Sequence, residues 1–214
     1  MEKKLLGLGS DGKLVVKSSD GKEISFYSKP ETSYFPKGTA VVYLLVDCSG
    51  SMFGEKIVQA KQGAGDFART AIRKGYRVGL IDFGDEAHLI CEPTRDVSLI
   101  AGSVEKIFIT GSTNLTDALR MVSKRLLKKE GYRVAVVVTD GYPNDPNSAL
   151  EIAEVMKQDR VEILAISTAD ADQNFLSRLV SRKDLNLKVE QNKFREGMNF
   201  MVRKLPTQAL EDKR

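Results

Sequence analysis

Two aspartates and three hydroxyl residues stand out because their types and spacing could bind a metal ion. Asp47, Ser49 and Ser51 alternate in the segment DCSGSM, and an extended chain points every second side chain to the same side. The segment TGSTN (residues 110–114) contributes further hydroxyls, and Asp140 follows a strongly apolar segment. Mg²⁺ prefers oxygen ligands in octahedral geometry and keeps several waters. Asp47, Asp140, Ser49, Ser51 and a hydroxyl of the TGSTN segment are therefore the candidate ligands of a Mg²⁺ site.

This ligand set predicts a site that the chain leaves incomplete. Carboxylates offset the charge of the ion, whereas neutral hydroxyls bind it without over-neutralising it. If the hydroxyls bind directly and the acids act partly through water, the ion stays electrophilic. It can then accept one more oxygen from outside the chain.

Alternating strands and helices are predicted to position these residues. Apolar segments of strand length lie at 40–46, 76–83, 133–139 and 161–167, with shorter strands at 87–91 and 185–189. Helical spacing of apolar residues occurs at 55–73, 97–106, 115–129, 148–158, 174–181 and 194–205. The short strand at 87–91 follows its neighbour so closely that we expect an antiparallel hairpin at a sheet edge.

This order of elements predicts an α/β fold with a Rossmann-like, doubly wound and mostly parallel sheet. Right-handed strand–helix–strand crossovers put helices on both faces of such a sheet. The three polar segments then share the edge where the parallel strands end, and such sheets bind ligands at that edge. The predicted fold and the predicted metal site therefore agree.

The beginning of the chain has a different pattern. Ser10-Asp11-Gly12-Lys13 recurs as Ser19-Asp20-Gly21-Lys22, and Asp-Gly is typical of hairpin turns. Strand-like segments at 14–17 and 24–27 flank these turns, which predicts a short antiparallel meander. We expect three parts: an N-terminal extension at 1–38, the α/β domain at 39–205 and a C-terminal tail at 206–214.

Composition limits the classes of function. The 214 residues include 33 Lys and Arg, 29 Asp and Glu, one histidine and two cysteines. A net charge of +4 is too mild to argue for nucleic acid, and a single histidine excludes a His-rich metal cage. No apolar run approaches the roughly 20 residues that span a bilayer, and the first residues lack the features of a signal peptide. Two reduced thiols suit a cytosolic protein, so we expect a cytoplasmic protein without a membrane segment.

The segments DCSGSMFGEKI, GSTN and VVVTDG resemble the metal-ion-dependent adhesion site (MIDAS) of the von Willebrand factor A (vWA) domain family. The family pattern is Asp-x-Ser-x-Ser, a distant Thr and a later Asp, and all five positions are matched, at Asp47, Ser49, Ser51, Thr113 and Asp140. The resemblance covers about residues 39–205. It implies Mg²⁺ or Mn²⁺, a sheet with one antiparallel edge strand, and a partner protein whose Asp or Glu completes the metal coordination.

The resemblance is to the intracellular prokaryotic type of vWA protein. No cysteine pair flanks the domain, and the residues before it lack the features of a signal peptide, so we expect neither the secreted nor the integrin type. Intracellular members are often companions of AAA+ ATPases, as in metal chelatases and MoxR systems. Since nothing in this chain resembles a P-loop, such an ATPase would be a separate protein. The chain itself is then expected to be a non-enzymatic binding module.

Each candidate ligand also has an ordinary structural interpretation. Asp47 suits a turn, Thr113 and Asn114 could cap the next helix with Asp117 in a capping box, and Asp140-Gly141 could be a plain turn. The occurrence of all three segments at one edge of the sheet favours the metal site over these separate interpretations. We expect Cys48 to point into the core.

Two alternative functions belong to other classes. A sheet-edge Asp near Mg²⁺ is also found in aspartyl phosphatases, so a metal-dependent hydrolase or phosphotransferase is one alternative; these enzymes need a second acid where this chain has Ser49. RNA binding is the other, because Ro-type proteins contain a vWA domain and the helix at 115–129 carries Arg120, Lys124, Arg125, Lys128 and Lys129. A solvated helix face explains these residues better, so nucleic acid is not favoured as a partner.

Overall fold

A computed structural model describes residues 4–8, 13–17, 23–27, 39–127 and 130–208, which fall into two compact units. The smaller unit contains three strands that pair antiparallel in chain order: β1 (Lys4–Leu8), β2 (Lys13–Lys17) and β3 (Glu23–Tyr27). The strands predicted at 14–17 and 24–27 correspond to β2 and β3. The two Asp-Gly turns, one before β2 and one between β2 and β3, lie outside the described residues.

The larger unit is built from six strands and six helices within residues 39–127 and 130–208. Its strands are β4 (Val41–Asp47), β5 (Arg77–Phe83), β6 (Ala87–Thr94), β7 (Arg133–Thr139), β8 (Val161–Ser167) and β9 (Asn186–Lys188). Its helices are α1 (Glu55–Arg73), α2 (Val97–Val104), α3 (Leu115–Leu126), α4 (Pro146–Gln158), α5 (Gln173–Leu179) and α6 (Phe194–Lys204). No helix in the described part of the chain is long and apolar enough to cross a membrane.

The sheet of the larger unit has the strand order β6-β5-β4-β7-β8-β9. All neighbours are parallel except β5 and β6, which form an antiparallel pair at the edge. The predicted doubly wound, mostly parallel sheet with one antiparallel edge strand is confirmed. The strand order reverses between β4 and β7, so the ligand-binding crevice of this fold lies beyond the ends of these two strands.

Helices cover both faces of the sheet, which explains the continuous apolar strands. α1 packs against α2 and α6, whereas α3 packs against α4, which also contacts α5. All seven residues of β4 are buried, as expected for a strand covered on both sides.

The ends of several helices differ from the predicted ones for local reasons. α2 stops at Val104, because Lys106 and Ile107 donate to the carbonyls three residues before them and tighten the last turn. α4 starts two residues earlier than predicted, since Asp145 caps it and Pro146 fits its first position.

One of the two glycines inside α1, Gly63, lies at a close contact with another helix. A Cβ atom on Gly63 would lie 2.6 Å from Met198 Sδ and 3.0 Å from Arg195 Cα, both in α6. The close approach is therefore between two helices. A Cβ on Gly65 would meet only Arg69 Nη1 within 4 Å, at 3.9 Å.

Candidate metal centre

Asp47 is the last residue of β4 and is fully buried at the crevice. Its Oδ1 accepts a hydrogen bond from the Ser49 amide (2.8 Å), and its Oδ2 accepts one from Thr139 Oγ1 (2.5 Å). Burial raises the pKa of Asp47 to about 6, with a further contribution from the nearby Asp140 carboxylate, although both hydrogen bonds lower it. A divalent cation beside Asp47 would offset the cost of burying its charge.

Ser49 and Ser51 lie in the Asp47 loop (residues 47–52), which ends in a 3₁₀ turn at Gly50–Met52. Their hydroxyl oxygens are 3.1 Å apart, and Ser51 Oγ donates to Asp140 Oδ1 at 2.7 Å. Neighbouring ligands in an octahedron with bonds of about 2.0–2.1 Å are about 3 Å apart. Ser51 Oγ is therefore separated from Ser49 Oγ and from Asp140 Oδ1 by about the spacing of adjacent Mg²⁺ ligands.

Thr113 borders the same space from a second loop, the Thr113 loop (residues 110–114). A Cβ atom on Gly141 would lie 3.3 Å from Thr113 Oγ1 and 3.7 Å from Ser51 Oγ. The hydroxyls of Thr113 and Ser51 therefore face one small volume above Gly141. A glycine at this position leaves that volume free.

Main-chain hydrogen bonds join the Thr113 loop to the Asp47 loop. The Thr110 amide donates to the Cys48 carbonyl (2.8 Å), and the Gly50 amide donates to the Gly111 carbonyl (3.0 Å). These bonds fix the hydroxyls of the two loops relative to each other.

Two polar side chains hold the Thr113 loop from its outer side. Asp85 accepts hydrogen bonds from the amides of Gly111 (3.0 Å) and Ser112 (2.9 Å), and the Ser112 hydrogen bonds in particular lower the pKa of Asp85. Asn144 Oδ1 accepts from the Thr113 amide at 3.3 Å. The loop is therefore positioned by residues beyond the candidate ligands.

Asp140 follows β7 and faces the Asp47 loop across the crevice. Its side chain is 1% exposed, and its second oxygen, Oδ2, accepts from Lys56 Nζ at 2.5 Å. Lys56 lies in the first turn of α1. Both oxygens of Asp140 are therefore bound by donors of the Asp47 loop and the helix that follows it.

The structure brings together all five residues that the sequence singled out, although their ligation of a metal stays a prediction. Their donor set consists of oxygens alone, and it fits Mg²⁺ or Mn²⁺. Among the described residues, no group of three or more His, Cys, Asp or Glu side chains could hold a metal ion, so the candidate site depends on hydroxyl ligands as well.

The capping alternative for the Thr113 loop applies to Asn114 rather than to Thr113. Asn114 caps α3 by accepting from the Asp117 amide. Asp117 does not complete a capping box but accepts from the Ala87 amide at 3.1 Å. Thr113 is thus left to face the crevice.

The other singled-out residues have ordinary environments. Cys48 is buried as predicted, 3.7 Å from Thr110 Oγ1, and burial raises the pKa of its thiol to about 11. His88 has a side chain that is 58% exposed and lies 3.3 Å from Asp82. On α3, Arg120 pairs with Asp117 and Arg125 lies 3.9 Å from Glu92; Lys128 and Lys129 lie outside the described residues.

Four residues around the site were missed by sequence reasoning: Lys56, Asp85, Thr139 and Asn144. Lys56 belongs to the segment that carried the vWA resemblance, so its spacing from Ser51 was an available signal. Asp85 follows the end of β5 at the same sheet edge as Asp47, which was also a usable signal. Thr139 looked like the last residue of an apolar strand, and its contact with Asp47 is not encoded locally.

The fold and the five-oxygen crevice define a class: doubly wound α/β domains with a candidate divalent-cation site at the switch point. Within that class, the chain belongs to the von Willebrand factor type A domain family, whose sequence model matches residues 42–208. The family expected from the sequence is therefore confirmed.

Curated relatives of the chain include the magnesium-chelatase 67 kDa subunit of Chlorobaculum tepidum. It is 28% identical over 193 residues, which are 80% of this chain and 30% of that protein. The chain spans between 25% and 30% of the length of the three magnesium-chelatase subunits that it matches.

Solved structures support the fold. The vWF domain of the pilus tip protein Mfa5 from Porphyromonas gingivalis has a TM-score of 0.72 at 11% identity, over 81% of this chain and 98% of that domain. Proximal thread matrix protein 1 from the mussel byssus, solved with a zinc-occupied MIDAS motif, has a TM-score of 0.62 at 19% identity. That match covers 77% of this chain and 45% of the mussel protein.

Proposed function

We propose that this chain is a non-enzymatic, divalent-metal-dependent protein-binding module. Its MIDAS would hold Mg²⁺ or Mn²⁺, and an Asp or Glu of a partner protein would complete the coordination. One observation carries the proposal: Ser51 Oγ lies 3.1 Å from Ser49 Oγ and 2.7 Å from Asp140 Oδ1 across the switch point, next to the buried Asp47.

The residues have distinct roles in this proposal. Ser49, Ser51 and Thr113 would ligate the ion directly with neutral oxygens. Asp47 and Asp140 would balance its charge, and Asp47 also orients the Asp47 loop through the Ser49 amide. A bound ion would supply a Lewis-acidic position for a carboxylate from outside.

The proposal of a binding role rather than catalysis is supported by the surroundings of Asp47. A nucleophilic aspartate needs a free oxygen and a neighbouring acid or base. Both oxygens of Asp47 accept hydrogen bonds, from Ser49 and Thr139. The residue two positions further, where aspartyl phosphatases need an acid, is Ser49.

The relatives support the choice of metal and partner. The mussel protein binds zinc at its MIDAS, which supports a divalent cation at the corresponding edge of this chain. Similarity to magnesium-chelatase subunits supports a partner of the kind that the family resemblance implies, a separate AAA+ ATPase. We further propose that the two proteins meet in the cytoplasm.

Metal binding is tested by thermal unfolding in EDTA, Mg²⁺ and Mn²⁺. A ligand at 100 times its Kd stabilises the native state by about 2.7 kcal/mol, which corresponds to a rise in Tm of about 5–10 °C for a domain of this size. Asp47→Ala should abolish the rise. Asp66→Ala, which removes an aspartate paired with Arg69 and Arg195 on α1 and α6, should keep it.

Partner binding is tested by capture from cell extract with the immobilised wild-type chain. Mass spectrometry should identify a protein retained in Mg²⁺, released by EDTA and absent from the Asp47→Ala column. Retention by Asp47→Ala that still depends on Mg²⁺ would contradict the proposal. Turnover of a generic phosphate ester that is lost in Asp47→Asn would instead support the hydrolase alternative.

A further inference from the structure

Lys56 contacts the candidate metal site although the proposed function assigns it no role. Its Nζ lies 2.5 Å from Asp140 Oδ2, and the two side chains are 17% and 1% exposed. The other oxygen of Asp140 accepts from Ser51. The ammonium group therefore binds one of the two carboxylates on which the candidate metal site depends.

The position of Lys56 in α1 is unfavourable for the helix itself. Gly54 is the N-cap of α1, with φ = 84°, so Lys56 is the second helical residue. The amino end of a helix carries partial positive charge and favours acids over lysines. A lysine at position 56 is therefore unfavourable for the helix itself. Its stabilising contact is with Asp140, which follows β7.

The charges of the crevice explain this contact. Asp47 and Asp140 are 0% and 3% exposed, and two buried carboxylates with no nearby cation would be strongly disfavoured. Lys56 offsets one of these charges. A divalent cation would offset both, but it would also repel an ammonium group held at the same carboxylate.

We propose that Lys56 is a resident counter-cation that competes with the divalent metal for Asp140. The Lys56–Asp140 pair stabilises the protein while no metal is bound, and it opens when a metal ion binds. The long, flexible lysine side chain can move its charge to solvent without a change in the backbone. The affinity of the site is thereby set lower than its oxygen ligands alone would give. This inference rests on the part of the proposed function that assigns a divalent cation to the site.

Calorimetric titration with Mg²⁺ and Mn²⁺ tests the competition. Lys56→Met keeps the length of the side chain and removes its charge, so it should lower the Kd by about tenfold, the scale of a charge-assisted hydrogen bond. Lys61→Met is the matched control on the same helix, because Lys61 contacts the Glu105 carbonyl and the Phe108 ring instead. An unchanged or raised Kd in Lys56→Met would overturn the inference.

A second measurement uses the wild-type chain and does not depend on the folding of a variant. Amine-labelling rates, followed by mass spectrometry, should rise several-fold at Lys56 when Mg²⁺ is added, because opening of the pair exposes the ammonium group. Lys124 on α3 is already exposed and should label at the same rate in EDTA and Mg²⁺. Equal labelling of Lys56 under both conditions, in a protein that binds Mg²⁺, would contradict the inference.

Thermal unfolding in EDTA completes the test. Lys56→Met should have a lower Tm than the wild type in EDTA and a larger rise in Tm on addition of Mg²⁺. The failure of this inference is distinguishable from that of the proposed function. If both proteins bind Mg²⁺ with the same Kd, only the role of Lys56 is wrong. If neither binds Mg²⁺ or Mn²⁺, the metal-dependent function is wrong and the inference is overturned with it.

Discussion

The two ends of β7 carry charged residues in opposite situations. At the amino end, Arg133 lies 2.5 Å from Asp159 Oδ2 and also donates to the carbonyl of Leu126. Asp159 is 46% exposed, so water solvates it as well. At the carboxyl end, Asp140 is almost fully buried and lies close to a second buried acid, Asp47.

The neighbouring strand β8 shows the same pattern at its amino end. Glu162 accepts a hydrogen bond from Tyr132 and lies 3.5 Å from Arg182. Burial raises the pKa of Glu162, and the Arg182 charge lowers it. The acids at this end of the sheet are therefore matched by cations of the same chain and contribute to the fold.

The carboxyl end of the sheet has an excess of buried acid. Among the described residues, the ion pairs of this crevice consist of one contact, that of Lys56 with Asp140, whereas two carboxylates are buried there. Uncompensated buried charge lowers stability, so packing does not account for this arrangement. The two ends of the sheet therefore differ in how their acids are paired. Acids that pair with cations of the same chain stabilise the fold, whereas buried acids in excess of such cations indicate a candidate binding site.

The largest effect that we expect is the loss of stability in Arg133→Met, a substitution at the amino end of β7. The substitution removes an ion pair and hydrogen bonds to two main-chain carbonyls, those of Leu126 and Asp159. The free energy of unfolding should fall by about 1–2 kcal/mol, measured by urea denaturation in EDTA. The Kd for Mg²⁺ should not change, since Arg133 lies at the opposite end of β7 from Asp140. A weaker Mg²⁺ affinity in Arg133→Met would break the comparison.

Local patterns in the sequence were sufficient to predict the sheet and four of the five candidate ligands. The strands before Asp47 and Asp140 are continuous apolar runs that end abruptly at a carboxylate, and parallel strands bring such ends to one edge. Ser49 and Ser51 followed from alternation along the loop. The vWA resemblance then linked Thr113 to the same edge.

Contacts between distant residues could not be predicted in this way. Asp85 binds the Thr113 loop because the turn between β5 and β6 lies beside it, and no local periodicity encodes that contact. Lys56 has a recognisable spacing from Ser51 in the vWA-like segment, but that spacing does not reveal its contact with Asp140. The function of Gly63 depends on Met198, 135 positions later in the chain, so its spacing within α1 could not reveal helix–helix packing.

The second prediction concerns pH and separates the carboxyl end from the amino end. The pKa of Asp47 is raised by burial from 3.8 to about 6, and a protonated carboxyl group binds a divalent cation poorly. The apparent affinity for Mg²⁺ should therefore fall about tenfold for each pH unit below 6, measured by calorimetry between pH 5 and 7.5. An affinity that is constant over this range would contradict the assigned role of Asp47.

In the metal-free protein, the carboxyl group of Asp47 makes the folded state less stable as the pH rises, which is opposite to its effect on Mg²⁺ affinity. Because its pKa in the folded protein is above the unfolded value of 3.8, Asp47 contributes stability that is fully present below pH 3.8 and is lost as the pH rises through 6. Addition of Mg²⁺ at pH 7 should restore this stability. Asp66 is the internal comparison. Burial acts to raise its pKa, but hydrogen bonds from Arg195 and Arg69 and the charge of Arg195 lower it overall, so its contribution to stability is lost only in acid.

The smallest expected effect tests the space between the hydroxyls. In Gly141→Ala the new methyl group would lie 3.3 Å from Thr113 Oγ1, tight enough to displace that hydroxyl, and we expect the Kd for Mg²⁺ to rise about threefold to tenfold, or about 0.7–1.4 kcal/mol. Gly102→Ala in α2 is the matched control, because its methyl group would meet no atom within 4 Å. It should leave the Kd unchanged and stabilise the helix by up to about 1 kcal/mol. If Gly141→Ala binds Mg²⁺ as tightly as the wild type, Thr113 is not a ligand. The ion at the carboxyl end of β7 would then be held by Ser49, Ser51 and the two aspartates alone.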